Sequence, residues 1–296
     1  MGSSQTKSRH SGLFIRLFKE ADVDRTRMRH LAKHIVLAAA SLALLFVTRI
    51  TGSSLNPVSL IQPRVSQQRS RSTDSEVAHW SSRLKSSSEE ERREAAMQLA
   101  RFKSEAAFRA LAPAVNDPSA QVRAAVVASL AERGDESAVP VLAARLARDK
   151  DQFVRKAAAY ALGGFHEGER TAALAAALRD KDPEVRAAAA ISLGDHADAG
   201  AVAPLASALS DKNGFVRAQA ARALGVNGRA AVQTVPALMT LLTKDEDSEV
   251  KRQAAGALGQ IGDRSALPAL ERATRDKDPY LAQAASDAIG LIERKL

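Results

Sequence analysis

The 296-residue chain has no cysteine, 4% aromatic residues and 43 Lys and Arg against 34 Asp and Glu. The lack of cysteine excludes disulfides, thiol nucleophiles and cysteine metal ligands, and the scarcity of aromatic side chains argues against a surface that stacks nucleic-acid bases. The net charge of +9 lies entirely in residues 1–73, with 12 Lys and Arg against three Asp and Glu, so the rest gives no support for a nucleic-acid footprint.

Residues 1–30 form a basic N-terminal segment. One helical face of this segment would carry four apolar residues, with basic residues off that face: Leu13, Phe14, Leu17 and Phe18. The pattern fits a short amphipathic helix on the inner leaflet of a membrane, and it fits a flexible tail equally well. The abundance of Ser and Arg is also similar to that of organelle transit peptides.

Residues 31–50 form the only long apolar run of the chain. Its uncharged part, residues 35–47, has 13 residues, whereas a full membrane span needs about 20. Lys33 and Arg49 stand near the ends of the run, where such side chains can extend to the membrane interface. We therefore predict a single transmembrane anchor at residues 31–50. A cleaved signal peptide remains open as the alternative.

The charges that flank this run predict its orientation. Six basic residues stand within about 20 residues before it and three after it, which favours a cytoplasmic N-terminus. The rest of the chain is then expected outside the cytoplasm, in the periplasm if the source is a bacterium. Residues 51–73 are rich in Ser, Gln and Arg and contain two prolines, a composition typical of a disordered linker.

One sequence unit recurs from residue 74 to residue 296. Its pattern is Asp-x-Asp-Pro-x-Val-Arg-x-x-Ala-Ala-x-x-Leu-Gly, best kept at residues 180–194. The apolar residue before the basic one recurs every 31 to 34 residues, at Val122, Val154, Val185, Val216, Val250 and Leu281. A degenerate first copy stands at Glu91 and Arg92. This fixed period predicts a stacked array of about seven units.

Each unit is predicted to contain two helices. The first helix often opens with a proline, at Pro140, Pro204, Pro236 and Pro268. The second helix begins at the acidic link, where Asp can cap it, and is predicted to end at a glycine: Gly163, Gly194, Gly225, Gly259 and Gly290. The alanine runs favour helix and allow close stacking, so a continuous array with atypical ends is expected.

This pattern resembles the HEAT-like repeat family, in particular the short repeats of phycobilisome lyases and many bacterial scaffold proteins. The resemblance covers residues 74–296 and implies an all-α, right-handed α-solenoid of about seven helix pairs. It also implies an Asp/Arg ladder between neighbouring repeats, with a structural role. The ladder residues would be Asp117, Arg123, Asp149, Arg155, Asp180, Arg186, Asp211, Arg217, Asp245 and Lys251.

No pattern in the chain predicts catalysis, a metal site or a cofactor. His166 and Glu167 resemble one of the iron-binding His-Glu pairs of the HEAT-repeat deoxyhypusine hydroxylases, but that family needs several such pairs. His166 and His196 are instead expected to be solvent-exposed turn residues. The repeated acid pairs, such as Asp180 and Asp182, are best explained by helix capping.

These observations predict a non-catalytic, membrane-anchored scaffold that binds a partner protein through the solenoid, within a membrane or envelope complex. The membrane contact would be residues 31–50, and neither nucleic acid nor a small-molecule substrate is expected. A chromophore-handling protein like the phycobilin lyases is the alternative, although the apolar run counts against it. A nucleic-acid enzyme like the HEAT-like DNA glycosylases is disfavoured by the neutral, aromatic-poor array.

Overall fold

The computed structural model describes residues 73–166 and 168–294. These ranges contain 14 α-helices and three 3-10 segments, and no strand occurs within them. None of the helices within them is long and apolar enough to span a bilayer. The predicted amphipathic segment, the transmembrane anchor and nearly all of the linker fall at residues 1–72, outside the described residues.

The helices form seven consecutive pairs, each with a first and a second helix. The first helices are α1 (73–83), α3 (Glu105–Ala114), α5 (Val139–Arg148), α7 (Glu169–Ala177), α9 (Ala199–Ala208), α11 (Val235–Lys244) and α13 (Leu267–Ala273). The second helices are α2 (Glu89–Leu99), α4 (Ala120–Arg133), α6 (Gln152–Gly163), α8 (Pro183–Leu193), α10 (Gly214–Val226), α12 (Ser248–Ile261) and α14 (Pro279–Glu293). The 3-10 segments are Glu136–Ala138, Gly228–Thr234 and Arg264–Ala266. The predicted all-helical repeat array is confirmed.

The pairs stack in chain order through their second helices. From α2 to α14, each second helix packs against the second helix of the following pair. From the second pair onward, each first helix packs against the second helix of its own pair. A single cluster of buried Ala, Leu, Val and Ile side chains extends from Val77 to Ile292. No pair buries its apolar face alone, as the repeat pattern predicts.

The second helices begin where the acidic link supplies a capping side chain. In α8, the Asp182 side chain accepts hydrogen bonds from the backbone N–H groups of Glu184 and Val185. Equivalent caps are Ser119, Asp151, Asn213, Asp247 and Asp278. The acid pairs of the sequence therefore start helices, since an N-cap oxygen satisfies otherwise unpaired N–H groups.

Three of the four prolines lie in the first turn of a first helix, as predicted: Pro140, Pro236 and Pro268. Pro204 differs, because α9 begins at Ala199 and Pro204 lies inside it. The reason is an earlier cap: the Asp198 side chain accepts the backbone N–H of Gly200. This cap starts the helix five residues before the proline.

The predicted role of the second-helix glycines as helix ends is wrong for three of the five. Gly225, Gly259 and Gly290 lie inside α10, α12 and α14. The left-handed caps of second helices are Gly134, after α4, and Gly262, after α12.

Several of these glycines instead permit close approach between neighbouring second helices. A Cβ added to Gly259 would lie 2.6 Å from Cα of Ala288 in α14. A Cβ on Gly194 would lie 2.9 Å from Cβ of Ala223 in α10. Real Cβ atoms do not approach other atoms so closely, and glycine is therefore required for this spacing of the second helices.

Candidate functional site

The acidic links and the arginines of the second helices form bidentate ion pairs between neighbouring pairs of helices. Nε and Nη2 of Arg155 donate to the two carboxylate oxygens of Asp180 at 2.8 and 2.9 Å. Nη1 of Arg155 donates to the main-chain carbonyls of Asp149 and Lys150. The same bidentate contact occurs at Arg92–Asp117, Arg123–Asp149, Arg186–Asp211 and Arg217–Asp245. We call this series the Asp/Arg ladder.

The carboxylates of the ladder are fully engaged by the protein. Asp180 Oδ1 also accepts the backbone N–H of Asp182. Burial raises the pKa of Asp180, but the hydrogen bonds from Arg155 and Asp182 and the charge of Arg155 outweigh burial, so the pKa lies below its ordinary value. The other ladder carboxylates have lowered pKa values for the same reasons: Asp117, Asp149, Asp211 and Asp245. This arrangement holds repeats together and leaves little capacity for a ligand.

The two ends of the ladder differ from the sequence prediction. At the first junction Arg92 binds Asp117, a pair that the prediction did not include. At the last junction Nη1 of Arg252 donates to Asp278 at 2.8 Å, but this is a single contact to the capping aspartate and not to Asp276, which holds the ladder position. Lys251 holds the ladder position of α12, and a lysine ammonium cannot reproduce the planar fork of a guanidinium. Among the described residues, Arg217–Asp245 is therefore the last bidentate pair of the series.

The exposed large apolar side chains of the described residues concentrate on the second helices. They are Met97 in α2, Phe153 and Tyr160 in α6, Phe215 and Val226 in α10 and Tyr280 in α14, with Val232 in a 3-10 segment as the exception. The first helices carry none of them among the described residues. We call the surface formed by these six side chains, with Glu184 and Glu249, the second-helix face.

The aromatic residues of this face occupy equivalent positions in their repeats. Phe153, Phe215 and Tyr280 each precede a fully buried anchor residue, and they are 59%, 55% and 73% exposed. Glu184 and Glu249 hold the same position in the intervening repeats. The face therefore presents aromatic and acidic side chains in alternation along the stack.

Two cations lie beside the aromatic rings at this surface. Nζ of Lys156 lies 5.6 Å from the ring centroid of Phe153 and 2.5 Å from Oε2 of Glu184, so it connects α6 to α8. The guanidinium of Arg252 lies 6.0 Å from the ring centroid of Tyr280 and pairs with Glu249. These contacts hold the aromatic and acidic side chains in place while leaving them exposed.

The turn histidines lie close together beyond the C-terminal ends of α6 and α8, whereas the alternating aromatic and acidic residues above lie near the N-terminal ends of the second helices. The ring centroids of His166 and His196 are 5.4 Å apart, and the two side chains line a pocket of about 380 Å³ with Arg170. The described residues contain no group of three or more side chains able to hold a metal ion. Sequence reasoning noted both histidines but missed Arg170, because a buried arginine has no local sequence signal.

An array of stacked, antiparallel helix pairs joined by an Asp/Arg ladder defines an α-solenoid repeat protein. Residues 77–163, 171–234 and 216–290 match the family model of HEAT repeats. Since these ranges cover more than half of the chain, the protein belongs to the HEAT-repeat family.

Several solved structures match the chain to different degrees. The crystal structure of YibA of E. coli is 25% identical, with 85% of this chain and 92% of that chain covered and a TM-score of 0.57. The complex of CpcE and CpcF of phycocyanin lyase from a Nostoc species is 23% identical, with coverages of 73% and 93% and a TM-score of 0.43. Human deoxyhypusine hydroxylase is 20% identical, with coverages of 76% and 98% and a TM-score of 0.38. Among proteins of curated function, none matches the sequence significantly.

Proposed function

We propose that this protein is a non-catalytic, membrane-anchored scaffold that binds a partner protein through its second-helix face. The observation that carries the proposal is the placement of six exposed large apolar side chains on the second helices. Aromatic residues and Met are enriched in protein–protein interfaces, where a few of them supply most of the binding free energy.

The alternation of aromatic and acidic side chains indicates the chemistry of the partner. Phe153, Phe215 and Tyr280 offer the apolar contact area. Glu184 and Glu249 between them already pair with Lys156 and Arg252, but their side chains stay 67% and 43% exposed, so basic groups of a partner at a matching spacing could still reach them. A segment that extends across several repeats would contact all five positions. The ladder carboxylates are already paired and are not part of this surface.

The membrane anchor is the second part of the proposal. The apolar run at residues 31–50 and the excess of basic residues before it support a single span with a cytoplasmic N-terminus. The repeat domain would then lie outside the cytoplasm, in a membrane or envelope complex. An N-terminal anchor would hold the solenoid near the bilayer and raise its effective concentration towards membrane-bound partners.

Affinity purification tests the proposed binding face. The full chain, with a C-terminal tag, is purified from its native membranes in mild detergent, and the eluate is analysed by mass spectrometry and absorbance. We expect the wild type to retain a near-stoichiometric protein partner and the double variant Phe153→Ser/Phe215→Ser to lose it. Val232→Ser, which removes a 45% exposed apolar side chain from a 3-10 segment, should retain the partner.

Three results would contradict parts of this account. Equal capture by the double variant would exclude the second-helix face as the binding surface. A visible chromophore in the eluate would favour the lyase-like function instead. Recovery of the protein from the soluble fraction, beginning after about residue 50, would show a cleaved signal peptide in place of the anchor.

A further inference from the structure

A small pocket lies beside two neighbouring turns, the one that joins the third helix pair to the fourth and the one that joins the fourth to the fifth. It is separate from the second-helix face and from the ladder. It has a volume of about 380 Å³ and is lined by His166, Arg170, His196 and Ala197. His166 follows the C-terminal end of α6, and His196 follows that of α8. Both imidazoles are exposed, so the pocket is open to solvent.

Arg170 supplies a buried positive charge to this pocket. The side chain is completely buried, and Nε has no hydrogen-bond partner. Nη1 donates to the carbonyl of Gly163 at the end of α6, a favourable place for a cation. Within the part of the chain that the structure describes, no carboxylate lies within ion-pair distance of Arg170.

A second buried arginine shows what is absent around Arg170. Arg133 is the last residue of α4, and its Nη2 donates to Asp135 at 2.6 Å and to the carbonyl of Ser104. An intramolecular carboxylate therefore neutralises Arg133, whereas no described carboxylate does so for Arg170. A buried cation without such a counter-charge is costly, and an anion at the pocket would reduce that cost.

We propose that this pocket binds an oxyanion, a carboxylate or phosphate group, between the two imidazoles and above the guanidinium of Arg170. His166 and His196 can each donate one ring N–H to the anion, and Arg170 supplies the positive charge beneath it. The volume is within the range of small-ligand sites. The pocket is independent of the protein-binding face and would serve a second ligand.

Isothermal titration of the full chain in detergent micelles, with inorganic phosphate and separately with succinate, tests the proposal. We expect one-to-one binding of at least one anion, weakened about tenfold or more in Arg170→Met, as for loss of a charge-assisted contact. Arg109→Met, which removes an exposed arginine of α3, should leave the affinity unchanged. Binding of phosphate alone or of succinate alone identifies which of the two groups the site takes.

A second variant, His166→Ala/His196→Ala, tests the proposal if Arg170→Met does not fold. Both imidazoles are exposed, so their removal should not disturb the fold. This variant should lose binding while its unfolding midpoint stays that of the wild type. The proposal is overturned if neither anion binds the wild type. It is equally overturned if the histidine variant binds as tightly as the wild type.

Discussion

At the scale of the residue, glycine and arginine set the distances between repeats. The glycines near the ends of the second helices remove a Cβ where the next helix comes closest, as Gly259 does against Ala288. The arginines reach from one second helix to the acidic link of the following pair, as Arg155 does to Asp180. Both are repeated contacts, so each substitution tests one junction of the stack.

The two glycines of α12 should respond in opposite ways to alanine. Gly259→Ala places a Cβ 2.6 Å from Cα of Ala288, and we expect a loss of about 1–3 kcal/mol in the free energy of unfolding. Gly256→Ala meets no atom within 4 Å, and the gain in helix propensity should stabilise by about 0.5–1 kcal/mol. Urea unfolding followed by circular dichroism measures both; equal effects would contradict the close-approach role.

Removal of one ladder arginine should destabilise the array strongly. Arg155→Met leaves the largely buried carboxylate of Asp180 without its partner, for an expected loss of about 3–5 kcal/mol. The matched control is Arg109→Met, because the Arg109–Glu105 pair is 74% and 66% exposed and should contribute no more than about 0.5 kcal/mol. Similar urea midpoints for the two variants would show that the ladder contributes little to stability.

At the scale of the element, the ladder couples each helix pair to the next. Each bidentate contact joins a second helix to the link that starts the following second helix, and the same aspartate accepts the N–H of the capping residue two positions on. Loss of one contact therefore weakens both a junction and the start of a helix. At the last junction the Arg252–Asp278 contact is more exposed than the ladder pairs, which suits the end of an array.

The ladder predicts that the array loses stability in acid. Five ladder carboxylates have pKa values below the ordinary value in the folded protein: Asp117, Asp149, Asp180, Asp211 and Asp245. Their stabilisation is complete above the unfolded-state pKa of about 4 and is lost as the pH falls through the lower folded-state values.

Urea midpoints measured from pH 7 to pH 2.5 test this dependence. We expect nearly constant midpoints down to about pH 4.5 and a steep fall below about pH 4. A fall that is already complete at pH 5 would mean that other groups dominate, since the depressed aspartates remain ionised there.

At the scale of the whole molecule, most of the fold could be predicted from the sequence because the repeat unit recurs every 31 to 34 residues. The anchors from Val122 to Leu281 are buried in the second helices, and the capping acids start those helices. The right-handed sense of the solenoid and the anchor at residues 31–50 remain predictions.

Other features could not be predicted from the sequence of a single repeat, because they depend on contacts between repeats. A glycine that ends a helix and a glycine that admits a neighbouring helix look alike in sequence, and only the distance from Gly259 to Ala288 distinguishes them. The contact from Arg252 to the capping residue Asp278 depends on how a guanidinium reaches across the last junction. The pocket depends on the burial of Arg170, which the repeat pattern does not encode. Arg92 aligns with Arg123 in the repeat pattern, and this alignment could have predicted the first ladder pair, Arg92–Asp117.

Photo-crosslinking of the full chain in its native membrane tests whether the second-helix face binds the partner. A photoreactive amino acid is placed at Phe215, on the second-helix face, or at Thr240, exposed on first helix α11. We expect a discrete crosslink to one partner protein from position 215 and none from position 240. A crosslink from position 240 alone would place the binding surface on the first helices and contradict this expectation.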